Sequence, residues 1–306
     1  MSVADAMHAV YGSPPPGLIG PPSGALQVSP LSPGAAALEE IADASLAGMI
    51  VAAPPGALER RFVLAHGLRA LRVGGELIAV APKKRGGARL NDELRAFGCE
   101  PMETARRHHR IVSCSRPAKM RGLAEAIAAG GPQIAPALGL WSQPGVFSWD
   151  RLDPGTALLL EAGHPFRGRG ADFGCGVGVL GRAVLENREV TGLILADIDR
   201  RAISAAEQNI ADSRAQFVHI DLRLAPTRFA DLDFVVMNPP FHQVGRRSHS
   251  LGQGFIASAA DALHAGGLCR IVANASLPYE GALARAFSKV TELGRRAGYK
   301  LFEAVK

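Results

Sequence analysis

The feature that most constrains this chain is a glycine-rich turn, Asp172-Phe173-Gly174-Cys175-Gly176-Val177-Gly178. It stands between a strand-like segment, GRGADF, and a segment of helical spacing. Glycines spaced this way let a backbone turn sharply and approach a ligand closely. Such a turn alone is weak evidence, since many bind nothing. Here two acids follow it. Asp197 closes the apolar run Leu193 to Asp197, nineteen residues after Gly178. A carboxylate there can accept hydrogen bonds from ribose hydroxyls. Asp221 closes the next run, Phe217 to Asp221, where it can meet an adenine edge. Two ligand classes suit such a pocket, a dinucleotide and an adenosyl cofactor. No Walker-type lysine follows the turn, which argues against a nucleoside triphosphate. Asp172 would repel a pyrophosphate but tolerate a cationic amine or sulfonium.

The rest of the C-terminal half alternates strand and helix signals. Ala202 to Ile210 has helical spacing, Phe234 to Asn238 is strand-like, and Phe255 to Leu263 is an amphipathic helix. Gly266-Gly267 then leads into a strand, Leu268 to Ala273, and Tyr299 to Val305 reads as a final, antiparallel strand at the end of the sheet. Alternation of this kind implies a parallel sheet covered on both faces. The segment before the glycine turn, Arg167 to Phe173, is poor in large apolar residues, which predicts a loose start to that strand.

A second motif, Asn238-Pro239-Pro240-Phe241, closes the Phe234 strand. In a doubly wound sheet this end faces the ligand crevice. The prolines fix the backbone and leave carbonyls without a competing local donor. The Asn side-chain oxygen and a nearby carbonyl can then both accept from one –NH2 group, drawing its nitrogen toward tetrahedral geometry. Phe241 offers a face for a planar base, worth about 1–3 kcal/mol.

The two halves share a pattern. MIVAAPP (Met49 to Pro55) parallels FVVMNPP (Phe234 to Pro240), and RVGGELIAV (Arg72 to Val80) parallels HAGGLCRIV (His264 to Val272). Strand, Pro-Pro, helix, Gly-Gly and strand recur in the same order, which indicates duplication. The first copy has Ala53 where the second has Asn238, and it has no counterpart of the glycine turn. The first copy therefore reads as catalytically retired. Ser13 to Gly34 is dense in Pro, Gly and Ser and reads as irregular connection, with no clear strand before Met49. A break between Gly130 and Pro144 divides the chain into domains 1–135 and 136–306.

Composition narrows the partners. The net charge is +6, a mild signal for a polyanion. Between Lys83 and Arg121 there are eleven Lys or Arg against four Asp or Glu. Lys83, Lys84, Arg85, Arg106, Arg107 and Arg110 anchor this stretch, a candidate polyanion-contacting surface or a solvated face. The four cysteines form no CxxC pair, so neither zinc nor disulfides are expected. No apolar run spans a membrane and no signal peptide opens the chain, so a cytoplasmic protein without metal or membrane partner is expected.

From Gly145 to Lys306 the chain resembles class I S-adenosylmethionine-dependent methyltransferases. More closely, it is similar to the bacterial small-subunit ribosomal RNA guanine-N2 methyltransferases. The residues that carry this are GVFSWDRLDPGTALLLE (Gly145 to Glu161), DFGCGVGVLG (Asp172 to Gly181), NPPFH (Asn238 to His242), LGQGFI (Leu251 to Ile256) and VANASLPYE (Val272 to Glu280). The resemblance implies a Rossmann-like α/β fold with a seven-stranded sheet, preceded by a smaller degenerate methyltransferase-like α/β domain. It implies S-adenosyl-L-methionine as cofactor and ribosomal RNA or the small ribosomal subunit as partner. Asp172, Gly174, Cys175, Gly176 and Gly178 would wrap the methionine end. Asp197 with Ile198 would hold the ribose, and Asp221 with Leu222 the adenine region. Asn238, Pro239, Pro240 and Phe241 would carry catalysis. Val146, Phe147 and Ser148 would close over cofactor and base, and Phe147, Phe241, His242, Arg246 and Arg247 would meet the substrate. The same motif also serves adenine N6 and protein glutamine methylation, since all these targets present an sp2-bound –NH2. A reading of another class is an RNA-binding assembly factor that has lost catalysis.

Overall fold

The computed structural model describes residues 7–163, 165–224, 228–240 and 247–306, the side chains of 247–251 excepted. The chain divides into two compact units, residues 1–132 with 143–145, and residues 133–142 with 146–306.

The second unit opens with a small hairpin, β7 (Gln133–Ala135) and β8 (Leu140–Ser142), numbered after six strands of the first unit. Then follow α4 (Pro154–Glu161), β9 (Gly168–Phe173), α5 (Val179–Leu185), β10 (Val190–Asp197), α6 (Arg200–Asn209), β11 (Ala215–His219), β12 (Leu232–Met237), α7 (Arg247–Ala262), β13 (Leu263–Asn274), α8 (Glu280–Ala286), β14 (Lys289–Arg296) and β15 (Tyr299–Val305). The sheet runs β11-β10-β9-β12-β13-β15-β14. Its first five strands are parallel, and β15 is antiparallel to both β13 and β14. The final strand is antiparallel as expected, but it lies inside the sheet, and β14 forms the edge. Strand β12, LDFVVM, is almost wholly buried because the sheet is covered on both faces.

The start of β9 is not loose. Gly168 pairs with Val190, and Gly170 pairs with Phe234 on β12. A Cβ on Gly170 would lie 2.3 Å from the Phe234 ring. That ring stacks on Phe166 with centroids 4.5 Å apart. The small residues of β9 are therefore the space that a large neighbour fills, in the centre of the sheet.

The first unit comprises β1 (His8–Tyr11), β2 (Leu26–Gln27), β3 (Leu46–Ala52), α1 (Ala57–Ala70), β4 (Leu71–Pro82), α2 (Leu90–Ala96), β5 (Met102–Arg106), β6 (His109–Ser115) and α3 (Leu123–Gly130). Two strands thus precede Met49, where none was expected. They are short, and β2 is embedded in the Pro- and Gly-rich stretch. The sheet order is β2-β1-β3-β4-β6-β5. This matches β10-β9-β12-β13-β15-β14 strand for strand, with no counterpart of β11. The correspondence extends to detail. The β3/β4 register slips between Leu46 and Gly48, and the β12/β13 register slips between Leu232 and Phe234. At each slip a Gly-Gly pair turns, with Gly74 at φ +78 and Gly266 at φ +87. A Cβ on Gly75 would approach the Ala47 carbonyl to 3.1 Å, and one on Gly267 would approach the Leu232 carbonyl to 3.1 Å. Among the described residues no helix is long and apolar enough to cross a membrane, and no group of three or more His, Cys, Asp or Glu is placed to hold a metal.

Candidate active site

The parallel strands of the second unit deliver their chemistry at their C-terminal ends. Phe173 on β9 is the register partner of Met237 on β12, so the glycine turn and Asn238 leave the sheet side by side. One cleft is lined by Gly174, Cys175, Gly176 and Val177 from the turn, by Asn238, by Phe147, Ser148, Asp153 and Thr156 from the segment before and into α4, and by Leu138 from the β7–β8 hairpin. The hairpin is tied down by Asn209 of α6, whose amide donates to the Trp141 and Val177 carbonyls at 2.9 Å each.

The three glycines of the turn are all left-handed, at φ +76, +53 and +87 for Gly174, Gly176 and Gly178. Their surroundings differ. A Cβ on Gly178 would meet Ile210 at 2.9 Å and Ala206 at 3.2 Å, so this residue packs the turn onto α6. A Cβ on Gly176 would meet nothing within 4 Å, which leaves its backbone open on the cleft. The Gly176 N–H donates to Asp197 Oδ2 at 2.9 Å, and the Asp199 N–H donates to Asp197 Oδ1 at 2.8 Å. Asp197 thus braces the turn, and a carboxylate with two accepted bonds retains lone pairs for hydroxyls. Burial raises its pKa to about 6, against those amides.

Asp172 is fully buried, and neither oxygen completes a hydrogen bond among the described residues. Burial, then the charge of Asp197, push its pKa up to about 7, which the Gly181 amide offsets only in part. An orphaned buried carboxylate is costly, and a cationic ligand relieves it. With the open glycine and Asp197, these residues fit an adenosyl ligand carrying an ammonium and a sulfonium. Cys175 is buried, and burial, then Asp197 and Asp172, hold its thiol well above the ordinary range, so it is no nucleophile here.

Asn238 is held by groups that sequence reasoning missed. Its Nδ2 donates to Asp153 Oδ2 at 2.8 Å and to Thr156 Oγ1 at 2.9 Å. Its Oδ1 is buried with no partner among the described residues. A flipped amide would set its oxygen against the Asp153 carboxylate, so chemistry fixes the orientation. Asp153 is also the N-cap of α4, accepting from the Thr156 N–H at 2.9 Å, with Pro154 opening the helix. Tyr299 donates to its other oxygen at 3.4 Å. The signal was in the sequence: Asp-Pro-Gly-Thr is a helix-start signature, but its second use as a clamp lies 85 residues away.

The other expected site residues divide. Phe147 is 53% exposed on the cleft wall, beside Ser148 at φ +51. The Ile198 carbonyl accepts from His219 Nε2 at 2.9 Å. Asp172 and Asp197 lie behind the cleft wall rather than on it; Asp221 does not line the cleft either, and its carboxylate is engaged by Arg223 at 2.7 and 2.5 Å. That guanidinium holds the Asp221 pKa below the ordinary value. The Leu222 side chain is buried in the core under α7. Pro239 is buried and Pro240 exposed. Phe241, His242 and Arg246 lie outside the described residues, and so does the side chain of Arg247, whose backbone opens α7.

The chain is similar to proteins of known family and fold. Residues 137–303 match the family model of the methyltransferase small domain. The chain is 34% identical over 251 residues to the ribosomal RNA small subunit methyltransferase C of Stutzerimonas stutzeri, covering 78% of this chain and 73% of that protein. It is 32% identical over 254 residues to the protein of that name in Pseudomonas paraeruginosa, covering 82% and 76%. The fold is that of the T. Thermophilus 16S rRNA N2 methyltransferase, solved in complex with AdoMet and guanosine, with a TM-score of 0.77 at 23% identity over 100% of this chain and 90% of that one.

Proposed function

Because this chain belongs to the methyltransferase small domain family, alongside the ribosomal RNA small subunit methyltransferase C proteins, we propose that it transfers a methyl group from S-adenosylmethionine to the N2 amine of a guanine in small-subunit ribosomal RNA. The observation that carries this reading is the state of Asn238. Its N–H donors are consumed by Asp153 and Thr156, and its oxygen is left buried and unpaired in the same cleft as the glycine turn. An acceptor prepared in this way suits a planar –NH2 group, and leaving it unsatisfied is costly.

S-adenosylmethionine, when bound, supplies an electrophilic methyl group. This chain's residues do the rest by positioning. Asp172 and the Gly174–Gly176 backbone hold the cationic methionine end, and Asp197 takes the ribose hydroxyls. The target base is swung out of its stack into the cleft. Asn238 Oδ1 and the Pro239 carbonyl accept its two amine N–H bonds and turn the nitrogen lone pair away from the ring. Phe147 covers the base from the cleft wall. Phe241 stacks on it, and His242, Arg246 and Arg247 meet the adjoining nucleotides.

We read residues 136–306 as the catalytic domain and residues 1–135 as a retired copy of it, acting in the cytoplasm on ribosomal RNA. The matching sheet order and the paired Gly-Gly turns support the duplication. The corresponding Pro-Pro corner supports retirement: Arg60 donates to the Pro54 carbonyl at 3.2 Å and to the Pro55 carbonyl at 2.8 Å, so those acceptors are already filled. Nucleoside mass spectrometry of ribosomal RNA from cells with and without the gene tests the activity. Loss of N2-methylguanosine is expected, and loss of N6-methyladenosine would redirect the reading to adenine.

A further inference from the structure

The small hairpin that opens the second unit is too short to hold itself in place. Strands β7 and β8 have three residues each, and an isolated two-stranded hairpin is marginal in water. One face is anchored, since Leu140 packs with Val146, Val177, Ala202 and Ala205 from the glycine turn and α6. The free edge of β8 is held by a single side chain. Asn209, the last residue of α6, accepts from the Trp141 N–H at 2.8 Å and donates to the Trp141 carbonyl at 2.9 Å. A side-chain amide thus supplies the acceptor and the donor that a third strand would present. Its remaining N–H donates to the Val177 carbonyl at 2.9 Å. A flipped amide would set its oxygen against two carbonyls and its N–H groups against the Trp141 N–H, so the three bonds fix one orientation.

The Val177 carbonyl belongs to the peptide that closes the glycine turn. The N–H of that peptide, on Gly178, donates to the Cys175 carbonyl at 3.0 Å. Both ends of the peptide are therefore held, and the helical turn that carries Asn209 also crowds Gly178 through Ala206 and Ile210. The hairpin tip is shaped to match. The Leu138 and Gly139 N–H groups both donate to the Ala135 carbonyl, at 3.0 and 2.9 Å, with Gly139 at φ +64. Leu138 then lines the same cleft as Gly174, Cys175, Gly176 and Val177. One amide links a glycine-rich loop to a hairpin that cannot stand alone, and both form walls of the cleft.

We infer that Asn209 is a positioning residue for the cofactor: it locks the β7–β8 hairpin to the glycine turn, so that Leu138 and the Gly174–Val177 backbone are preformed walls for S-adenosylmethionine. This role rests on the cofactor reading above. Asn209 does not itself line the cleft. It acts by sparing the ordering of two loose segments at the moment of binding.

The test titrates the full chain with S-adenosylmethionine by calorimetry. Asn209→Ala loses all three bonds and should bind on the order of tenfold more weakly. Two of those bonds are solvent-exposed, so the variant should remain folded. Asn209→Asp keeps the acceptor for the Trp141 N–H but turns a carboxylate on two carbonyls, and should bind no better than Asn209→Ala. Leu138→Ala, with the amide bridge intact, should weaken binding on the order of threefold. Added to Asn209→Ala it should cost almost nothing more, because the hairpin is already loose. In steady state the KM for S-adenosylmethionine should rise while the KM for the small ribosomal subunit holds. A merely structural Asn209 would lower the melting temperature and leave the cofactor affinity of the folded protein unchanged, and that result overturns the proposal. Additive losses in the double variant, or equal rises in both KM values, overturn it as well. A wild type that binds no S-adenosylmethionine sinks the cofactor reading and this role with it. Tight wild-type binding matched by all the variants removes the role of Asn209 alone.

Discussion

Replacing Asp172 with Asn should make the cofactor-free protein less sensitive to a rise in pH from acid to neutral, against the usual behaviour of a lost carboxylate. Asp172 is fully buried, and its pKa is raised from the ordinary 3.8 to about 7. A group raised on folding contributes its stability below the unfolded pKa and loses it as pH climbs through the folded one. The wild type therefore loses stability between about pH 4 and pH 7, as the buried side chain is forced to ionise without a partner. At 1.36 kcal/mol per decade of proton affinity, the displacement is worth at most about 4 kcal/mol. For a domain of this size that is about 8–16 °C in melting temperature. Asn keeps the shape and carries no charge, and any cost of its own unpaired amide is independent of pH. The assay is thermal unfolding of both proteins without cofactor at a series of pH values from 5 to 8. The difference curve should rise in the variant's favour across the lower part of that window and level off near the Asp172 pKa of about 7. S-adenosylmethionine should stabilise the wild type more as pH rises, because ionised Asp172 then meets a cation, and should stabilise the variant far less. Parallel wild-type and variant pH profiles would refute the reasoning.

Asp153→Ala removes the clamp on the Asn238 amide, so methyl transfer should drop on the order of 100-fold in kcat. The thermal shift by S-adenosylmethionine should remain. Gly178→Ala should destabilise the fold, because its Cβ would lie 2.9 Å from Ile210. Gly176→Ala should cost only the left-handed penalty, about 1–2 kcal/mol, while weakening cofactor binding by calorimetry. Gly170→Ala should cost about 1–3 kcal/mol or more in urea unfolding, since it drives a methyl into the Phe234 ring.

What the sequence made legible was what is local. The glycine turn, the acid ending β10 and the Asn-Pro-Pro corner are contiguous motifs, and strand–helix alternation implied the α/β sheet. Four things escaped for physical reasons. Strand β14, KVTELGRR, is an exposed edge, so no apolar alternation marks it. Strand β9 looked weak because its small residues are explained only by Phe234, a neighbour in space. Asp153 announced itself as a helix cap, and its hold on Asn238 exists only once α4 packs beside β12. Asp221, expected to be open toward a ligand, is engaged by Arg223 two residues on, a pairing that strand-end position does not signal.

The most direct test of the central claim is methylation of purified small ribosomal subunits by the isolated protein with methyl-labelled S-adenosylmethionine, followed by digestion and nucleoside identification. The wild type should place label on N2-methylguanosine, and Asn238→Ala should place none while its melting temperature stays within a few degrees of the parent. Label retained by that variant, or recovered in any nucleoside whose exocyclic amine is untouched, would contradict the role given to the Asn238 oxygen.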